Sequence, residues 1–172
     1  MKAKIKIKLD KGAAMPTRAH ESDVGYDIKA LHTYFVTPDG FEIEIVTRED
    51  CELLSHEESR IYKIKIDTGV HVKPEAGYYV EVVPNSRLSK TPFVYGNSIG
   101  IIDPEYTGSI KVVLSPCEEV VVPDLFKFLP GNVVGQLIIR HKHDADFEQV
   151  DQVEETERGE GGFGSTEKSS DK

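Results

Sequence analysis

Arg158-Gly159-Glu160-Gly161-Gly162-Phe163-Gly164-Ser165-Thr166, near the C-terminus, puts residue types useful for gripping a polyphosphate into one short run. Glycine reaches torsions closed to other residues, so consecutive backbone N–H groups can converge on an anion. Arg158 in front and the Ser165 and Thr166 hydroxyls behind add charged and neutral donors. Phe163, followed by Gly164, offers a ring that can lie flat on an unpaired base. By composition alone the segment also reads as a solvated Gly/Ser tail; the order of its residues separates the two readings.

Three other segments carry candidate chemistry. Gly100-Ile101-Ile102-Asp103-Pro104-Glu105-Tyr106-Thr107-Gly108 is an apolar strand running into a Pro/Gly turn. A carboxylate there is expected to be partly desolvated and fixed, which suits a general base acting on water. It equally suits a turn aspartate that accepts from the following backbone. Ser22-Asp23-Val24-Gly25-Tyr26-Asp27 is an acidic turn and Pro84-Asn85-Ser86-Arg87-Leu88-Ser89-Lys90 a partly basic one. Taken singly, either reads as surface loop. His20, His32, His56, His71, His141 and His143 offer no set at metal-ligand spacing, and exposed structural roles are expected for them. Cys51 and Cys117 have neither CxxC spacing nor a partner histidine and read as reduced thiols of a cytosolic protein.

The elements that must position these residues are short strands. Lys2, Lys4, Lys6 and Lys8 alternate with Ala3, Ile5, Ile7 and Leu9, a period of two that predicts a strand whose lysine face protects a sheet edge. This pattern is not the uninterrupted apolar run of a signal peptide. Strand-like runs follow at 28–35, 41–46, 61–66, 78–83, 110–114, 120–122 and 133–140, separated by turn signals such as Pro38-Asp39-Gly40 and Pro130-Gly131-Asn132. The pattern predicts an all-β jelly roll or barrel. Helical signal is thin: one turn within 84–92, and a loop or short exposed helix at 48–60. The 172 residues suit one domain, expected over 1–153 with a polar insertion at about 47–60, followed by a flexible Gly-rich arm at 154–172. A net charge of −9 works against long-range attraction to nucleic acid or an anionic membrane.

These segments, with Gly135-Gln136-Leu137, stand in the order and approximate spacing of the five motifs of trimeric dUTPases, which the chain resembles over residues 4–166. The resemblance implies a distorted jelly-roll homotrimer with its sites at subunit interfaces. It further implies hydrolysis of dUTP to dUMP and pyrophosphate by water attacking the α-phosphorus, limiting uracil in DNA and supplying dUMP for dTMP synthesis. By the same resemblance, Asp103 activates the water. Tyr106 packs on the deoxyribose, and a hairpin from Asn97 through Gly100 to Ile102 meets the uracil edge. Ser86 and Gln136 contact the phosphates, and Asp27 holds Mg²⁺ through water. Arg158, Ser165 and Thr166 from the arm of another subunit meet the γ-phosphate while Phe163 and Gly164 cover the base. The location implied is cytoplasmic, or nuclear or host-cytoplasmic for a eukaryotic or viral source.

Two departures stand out. Asn85 replaces the usual arginine of a Pro-Arg-Ser motif, and Arg87 is expected to take its place if the backbone is extended there, because residues two apart then share a face. The insertion lengthens the stretch between Asp27 and Thr68-Gly69. A dCTP deaminase, of similar scaffold, needs a glutamate where this chain has Val113. A nucleotide-sensing barrel without turnover is the rival from another class.

Overall fold

Alternation decides where the strands fall. In Ile5-Lys6-Ile7-Lys8-Leu9 the apolar side chains are half-buried and the lysines exposed, and the same inside-outside pattern runs through Lys63–Asp67 and Lys111–Pro116. The computed structural model describes residues 2–55, 62–156 and 159. Its strands are β1 (Ile5–Leu9), β2 (Tyr26–Lys29), β3 (His32–Val36), β4 (Glu42–Ile45), β5 (Lys63–Asp67), β6 (Val70–Pro74), β7 (Tyr78–Val83), β8 (Phe93–Tyr95), β9 (Gly100–Ile102), β10 (Lys111–Pro116) and β11 (Val133–His141). Helices are α1 (Arg48–Ser55) and α2 (Val122–Leu125), with 3₁₀ turns at Leu88–Lys90 and Phe126–Phe128. No helix among the described residues is long and apolar enough to cross a membrane.

The strands form a ribbon β1-β6, a five-stranded sheet β4-β3-β5-β10-β8 and a four-stranded sheet β2-β11-β7-β9. All the pairs are antiparallel. One apolar cluster draws on all three sheets, with Ile64, Ile66 and Leu114 from the second, Ile28, Val80 and Leu137 from the third, and Val70 from the ribbon. Each such side chain contributes roughly 1.5–3 kcal/mol by leaving water. This is the jelly-roll-like β architecture that the spacing of short strands predicts.

Where the structure departs from the sequence pattern, local chemistry explains it. The predicted strand 28–35 is two strands, because Ala30 N–H and Leu31 N–H donate to Asn132 and Asp67 carbonyls and the chain turns from one sheet to the other. The run 120–122 is not a strand: Val121 is extended, Pro123 sits in the first turn of α2, and the Asp124 carboxylate accepts from Val121 N–H at 3.4 Å. Of the two strands outside the predicted runs, β8 has only three residues, too few to show a period, while β6 carries a period of two, with Val70 and Val72 inside and His71 and Lys73 outside, that the sequence reading passed over. In the expected insertion, Thr47 and Asp50 cap α1: Asp50 Oδ2 accepts from Val46 and Thr47 N–H at 2.9 and 2.8 Å, and Thr47 Oγ1 accepts from Asp50 N–H at 3.2 Å. Cys51 is fully buried and the Arg48 guanidinium lies 5.0 Å from the Phe126 ring centroid, so α1 is packed on the body rather than loose above it. Residues 56–61 of that insertion lie outside the described residues.

Candidate active site

Main-chain pairing in the four-stranded sheet sets out half of the site in one row. Asp27 on β2 pairs with Gln136 on β11, and Gln136 pairs on its other side with Val83, the last residue of β7. Gln136 Nε2 donates to Asp27 Oδ1 at 2.9 Å. Asp27 is half-buried and its backbone is held a second time, by a two-way bridge to Thr17 at 2.7 and 3.2 Å. Directly after Val83 the chain leaves the sheet as Pro84-Asn85-Ser86-Arg87, so the partly basic turn starts beside the Asp27–Gln136 pair.

Two glycines fit Gln136 into that row. A Cβ on Gly25 would stand 2.7 Å from Gln136 Oε1. A Cβ on Gly135 would stand 2.0 Å from the Tyr95 hydroxyl, which is buried and donates to the Val134 carbonyl at 2.8 Å. The sequence reading did not single out Gly25, Gly135 or Tyr95 for this role; the signal present was a glycine immediately before the glutamine, a mark of close approach by another group.

The turn after β7 answers the question of Arg87. Asn85 Oδ1 accepts from Arg87 N–H at 3.0 Å, and Asn85 O accepts from Leu88 N–H at 3.1 Å. Arg87 has helical torsions (φ −69, ψ −26), so the extended backbone that would place Arg87 and Asn85 on one face by alternation is absent. Both nevertheless line a cleft of about 290 Å³ with Lys90, Lys127 and Asn132. Ser86 and Arg87 are exposed, and the Ser86 hydroxyl and the Arg87 guanidinium bond no group among the described residues.

Asp103 belongs to the other half. β9 pairs with β7 through Val82↔Gly100 and Val80↔Ile102, so Asp103 leaves the sheet at its far edge and at the opposite end of β7 from the Gln136 row. Four residues at ~3.3 Å and two strand spacings at ~4.8 Å put it on the order of 16 Å from Gln136. Its carbonyl accepts from Tyr106 N–H at 3.0 Å, closing the turn over Pro104-Glu105. Its side chain is exposed among the described residues, where partial desolvation was expected. Tyr106, 42% exposed, donates from its hydroxyl to Ser109 O at 3.0 Å and folds its ring over Gly108, where a Cβ would stand 2.4 Å from that hydroxyl. Behind the turn, Asp67 accepts from Gly69 N–H and Ser109 Oγ, both at 2.9 Å, with Lys111 at 3.3 Å.

Asn97 and Gly100 lie together: a Cβ on Gly100 would stand 3.5 Å from Asn97 Nδ2. The expected hairpin across them is instead a crossover, since β8 lies in the five-stranded sheet and β9 in the four-stranded one. Its tightness shows in Ser98, with φ 58, and in Ile99 N–H, which donates to Asn97 O at 2.6 Å.

The dUTPase family model matches residues 40–167. The deoxyuridine 5'-triphosphate nucleotidohydrolase of Escherichia phage T5 is 34% identical over 163 residues, covering 94% of this chain and 97% of that protein. The chain belongs to the dUTPase family. The mouse protein of the same name is 28% identical, with 94% of this chain and 83% of the mouse chain covered. A solved dUTPase of Staphylococcus bacteriophage 80alpha, a G164S mutant with dUpNHpp, superposes at a TM-score of 0.68 with 26% identity over 94% of this chain and 97% of that one.

As a dUTPase, the chain presents its expected site residues as two groups: Asp27, Ser86, Arg87 and Gln136 near one end of β7, and Asn97, Gly100, Ile102, Asp103 and Tyr106 in the turn before β9, along β9 and in the turn after it. Arg158, Phe163, Gly164, Ser165 and Thr166 lie outside the described residues. Among the described residues no group of three or more His, Cys, Asp and Glu gathers around one point. Mg²⁺ needs no such cage, since it keeps several waters and binds through one or two carboxylates plus substrate phosphates. Asp27, a hard oxygen ligand held on one side by Gln136, fits that mode.

Proposed function

We propose that this dUTPase cleaves dUTP to dUMP and pyrophosphate at sites shared between the subunits of a homotrimer, with Asp103 as the base that takes a proton from the attacking water. The separation of Asp103 from the Asp27–Gln136 row carries this reading. A base on the order of 16 Å from Gln136 is poorly placed to act on a phosphate that the Gln136 of the same chain grips, whereas a second copy can bring its own row beside this turn. Residues 142–156 lend support: they are exposed throughout, and Phe147 and Val153 are 98% and 84% exposed, apolar side chains of the kind a neighbouring subunit would cover.

In this reading Asn97 and the backbone around Gly100 and Ile102 pair with the uracil edge, and Tyr106 packs on the sugar, leaving no room for a ribose hydroxyl. The Ser86 hydroxyl, the Gln136 amide and Arg87 donate to phosphate oxygens. Asp103 holds the water in line and accepts its proton. Mg²⁺, when bound at Asp27 with the phosphates, would offset charge on the leaving pyrophosphate. The arm at 154–172, with Arg158, Phe163, Gly164, Ser165 and Thr166, would close over another subunit's site and exclude bulk water. The domain is taken as 1–153 and its location as cytoplasmic, in keeping with two free thiols, Cys51 buried and Cys117 exposed.

Turnover of dUTP, dTTP, dCTP and UTP with Mg²⁺, measured as pyrophosphate release, tests the proposal. A site that hydrogen-bonds one base edge rejects the wrong base by about 10⁴-fold, because its buried donors and acceptors are left unpaired. The expected result is cleavage of dUTP alone. Comparable turnover of dCTP or UTP, or full activity from a monomer, overturns it.

A further inference from the structure

We propose that His71 is a positioning residue for hydrolysis: by bridging Asp10 to the Thr107 carbonyl, it fixes the turn from which Asp103 and Tyr106 project. The inference rests on the reading of Asp103 as base. His71 lies on β6 between the buried Val70 and Val72, so alternation turns its ring outward, toward the turn at 103–108. Its Nδ1 lies 2.8 Å from Thr107 O and its Nε2 3.0 Å from Asp10 Oδ2, and its side chain is only 18% exposed.

Both partners are acceptors with no hydrogen to give. A neutral imidazole has one N–H, so a ring that satisfies both contacts carries two and is an imidazolium. Asp10 is itself anchored, its N–H donating to Gly69 O at 2.9 Å. The ionic groups around the ring are Asp10 and Lys8 from the β1 side, with Lys8 Nζ 3.4 Å from Asp10 Oδ1, and the Lys73–Glu105 pair between β6 and the turn at 3.1 Å. That second tie joins two exposed side chains and holds little. The His71 tie ends on main chain and so constrains the path of the turn. The Thr107 carbonyl and then Asp10 hold the imidazolium above the ordinary histidine pKa, and the His71 bond holds Asp10 below the usual carboxylate range.

The sign follows. With a raised folded pKa, the bridge is complete below the ordinary histidine value of about 6.5 and is lost as pH rises through the raised one. A deprotonated ring nitrogen then faces an acceptor, and the turn is released on one side. Misplacing a catalytic group by about 1 Å can cost 10²-fold; loosening one tie of a closed turn is expected to cost about tenfold in kcat.

The test follows kcat and KM for dUTP from about pH 6 to about pH 10 in the wild type, His71→Gln, Asp10→Asn and Asp103→Asn, with ring ¹⁵N NMR of the wild type. The expected wild-type kcat falls on the alkaline side where NMR records loss of a ring proton. Asp10→Asn, which removes the charge but not the side chain, moves that limb to lower pH. His71→Gln lacks the limb and turns over about tenfold more slowly throughout, with KM changed less than about threefold. Should His71→Gln fail to fold, Asp10→Asn and the NMR titration decide. Superimposable profiles for the wild type and His71→Gln, or a limb that Asp10→Asn leaves in place, overturn the inference, alone if Asp103→Asn is inert. Activity retained by Asp103→Asn overturns the reading of the base, and this inference with it.

Discussion

Asp27 and Asp103 are carboxylates at opposite edges of one four-stranded sheet, and the chain treats them differently. Asp27 is half-buried, its backbone is paired with β11 on one side and bridged to Thr17 on the other, and its Oδ1 is taken by Gln136. Asp103 is exposed on a turn, and its carboxylate bonds no group among the described residues. The chain builds the proposed phosphate half of the site into its own sheet ladder. Among the described residues it leaves the carboxylate of the proposed water-activating half without a side-chain partner, supporting the backbone beneath it. A carboxylate without a side-chain partner is free to bond a water.

The largest effect that would test this contrast is expected from Asp103→Asn. General base catalysis is worth about 10²–10⁴-fold, so kcat should fall by that range. The thermal midpoint should stay put, because exposed substitutions outside packed features usually stay within about 0.5 kcal/mol. Affinity for a non-hydrolysable dUTP analogue should also survive, since the carboxylate acts on water rather than on the base. Calorimetry, analogue titration and turnover on one preparation decide the matter. A destabilised Asp103→Asn protein, or one that loses analogue binding in step with turnover, would show that Asp103 is as structural as Asp27.

The same contrast sorts what could be read from the sequence. β1 was legible because four lysines alternate with apolar residues, and Asp103 because it sits between an apolar run and a Pro-Gly turn. Gln136 could be found only through the family's motif order. What seats it, Gly25 from one side and Tyr95 behind Gly135 on the other, comes from residues distant in sequence whose meeting is a product of sheet order. β8 was missed because three residues show no period, and α2 was misread because Val120-Val121-Val122 is β-prone until Pro123 begins a helix. The separation of Asp103 from Gln136 was likewise invisible, since it depends on which end of β7 each residue faces.

Two glycines, each covered by a tyrosine, sharpen the comparison at intermediate magnitude. At Gly135 a Cβ would stand 2.0 Å from the hydroxyl of Tyr95, which is 6% exposed, and 3.0 Å from the Val83 carbonyl. Neither neighbour can yield freely, so Gly135→Ala is expected to cost about 1–3 kcal/mol of stability, or roughly 2–4 °C of Tm per kcal/mol. Adding Tyr95→Phe removes the atom in the way and should recover part of the loss, a sub-additive cycle. At Gly108 the obstructing atom is the Tyr106 hydroxyl at 2.4 Å, the far end of a half-exposed ring that can swing away. Gly108→Ala should therefore lower turnover by about tenfold through the displaced sugar platform while costing under about 1 kcal/mol. If Gly108→Ala proves the more destabilising of the two, the turn is not the looser half.

The smallest expected effect concerns the support behind the turn. Burial works to raise the pKa of Asp67, but the Gly69 N–H, the Ser109 hydroxyl and Lys111 outweigh it and hold the carboxyl below its ordinary value. For a depressed carboxylate the stabilisation is present above the unfolded value of about 3.9 and is lost as pH falls through the folded one. Asp67→Asn keeps the shape and removes the charge, so at pH near 7 it should destabilise by roughly 1.5–3 kcal/mol, the worth of a hydrogen bond to an ionised group. Urea unfolding at fixed protein concentration should show the gap to wild type narrowing as pH falls below about 4. A constant gap would mean that the substitution costs packing rather than charge. Turnover should change less than about twofold, because Ser109 lies beyond the turn's closing bond and His71 still holds Thr107 from the ribbon side. A much larger loss of turnover would place Asp67 among the groups that aim Asp103, and would make the exposed half of the site as dependent on the sheet behind it as Asp27 is on Gln136.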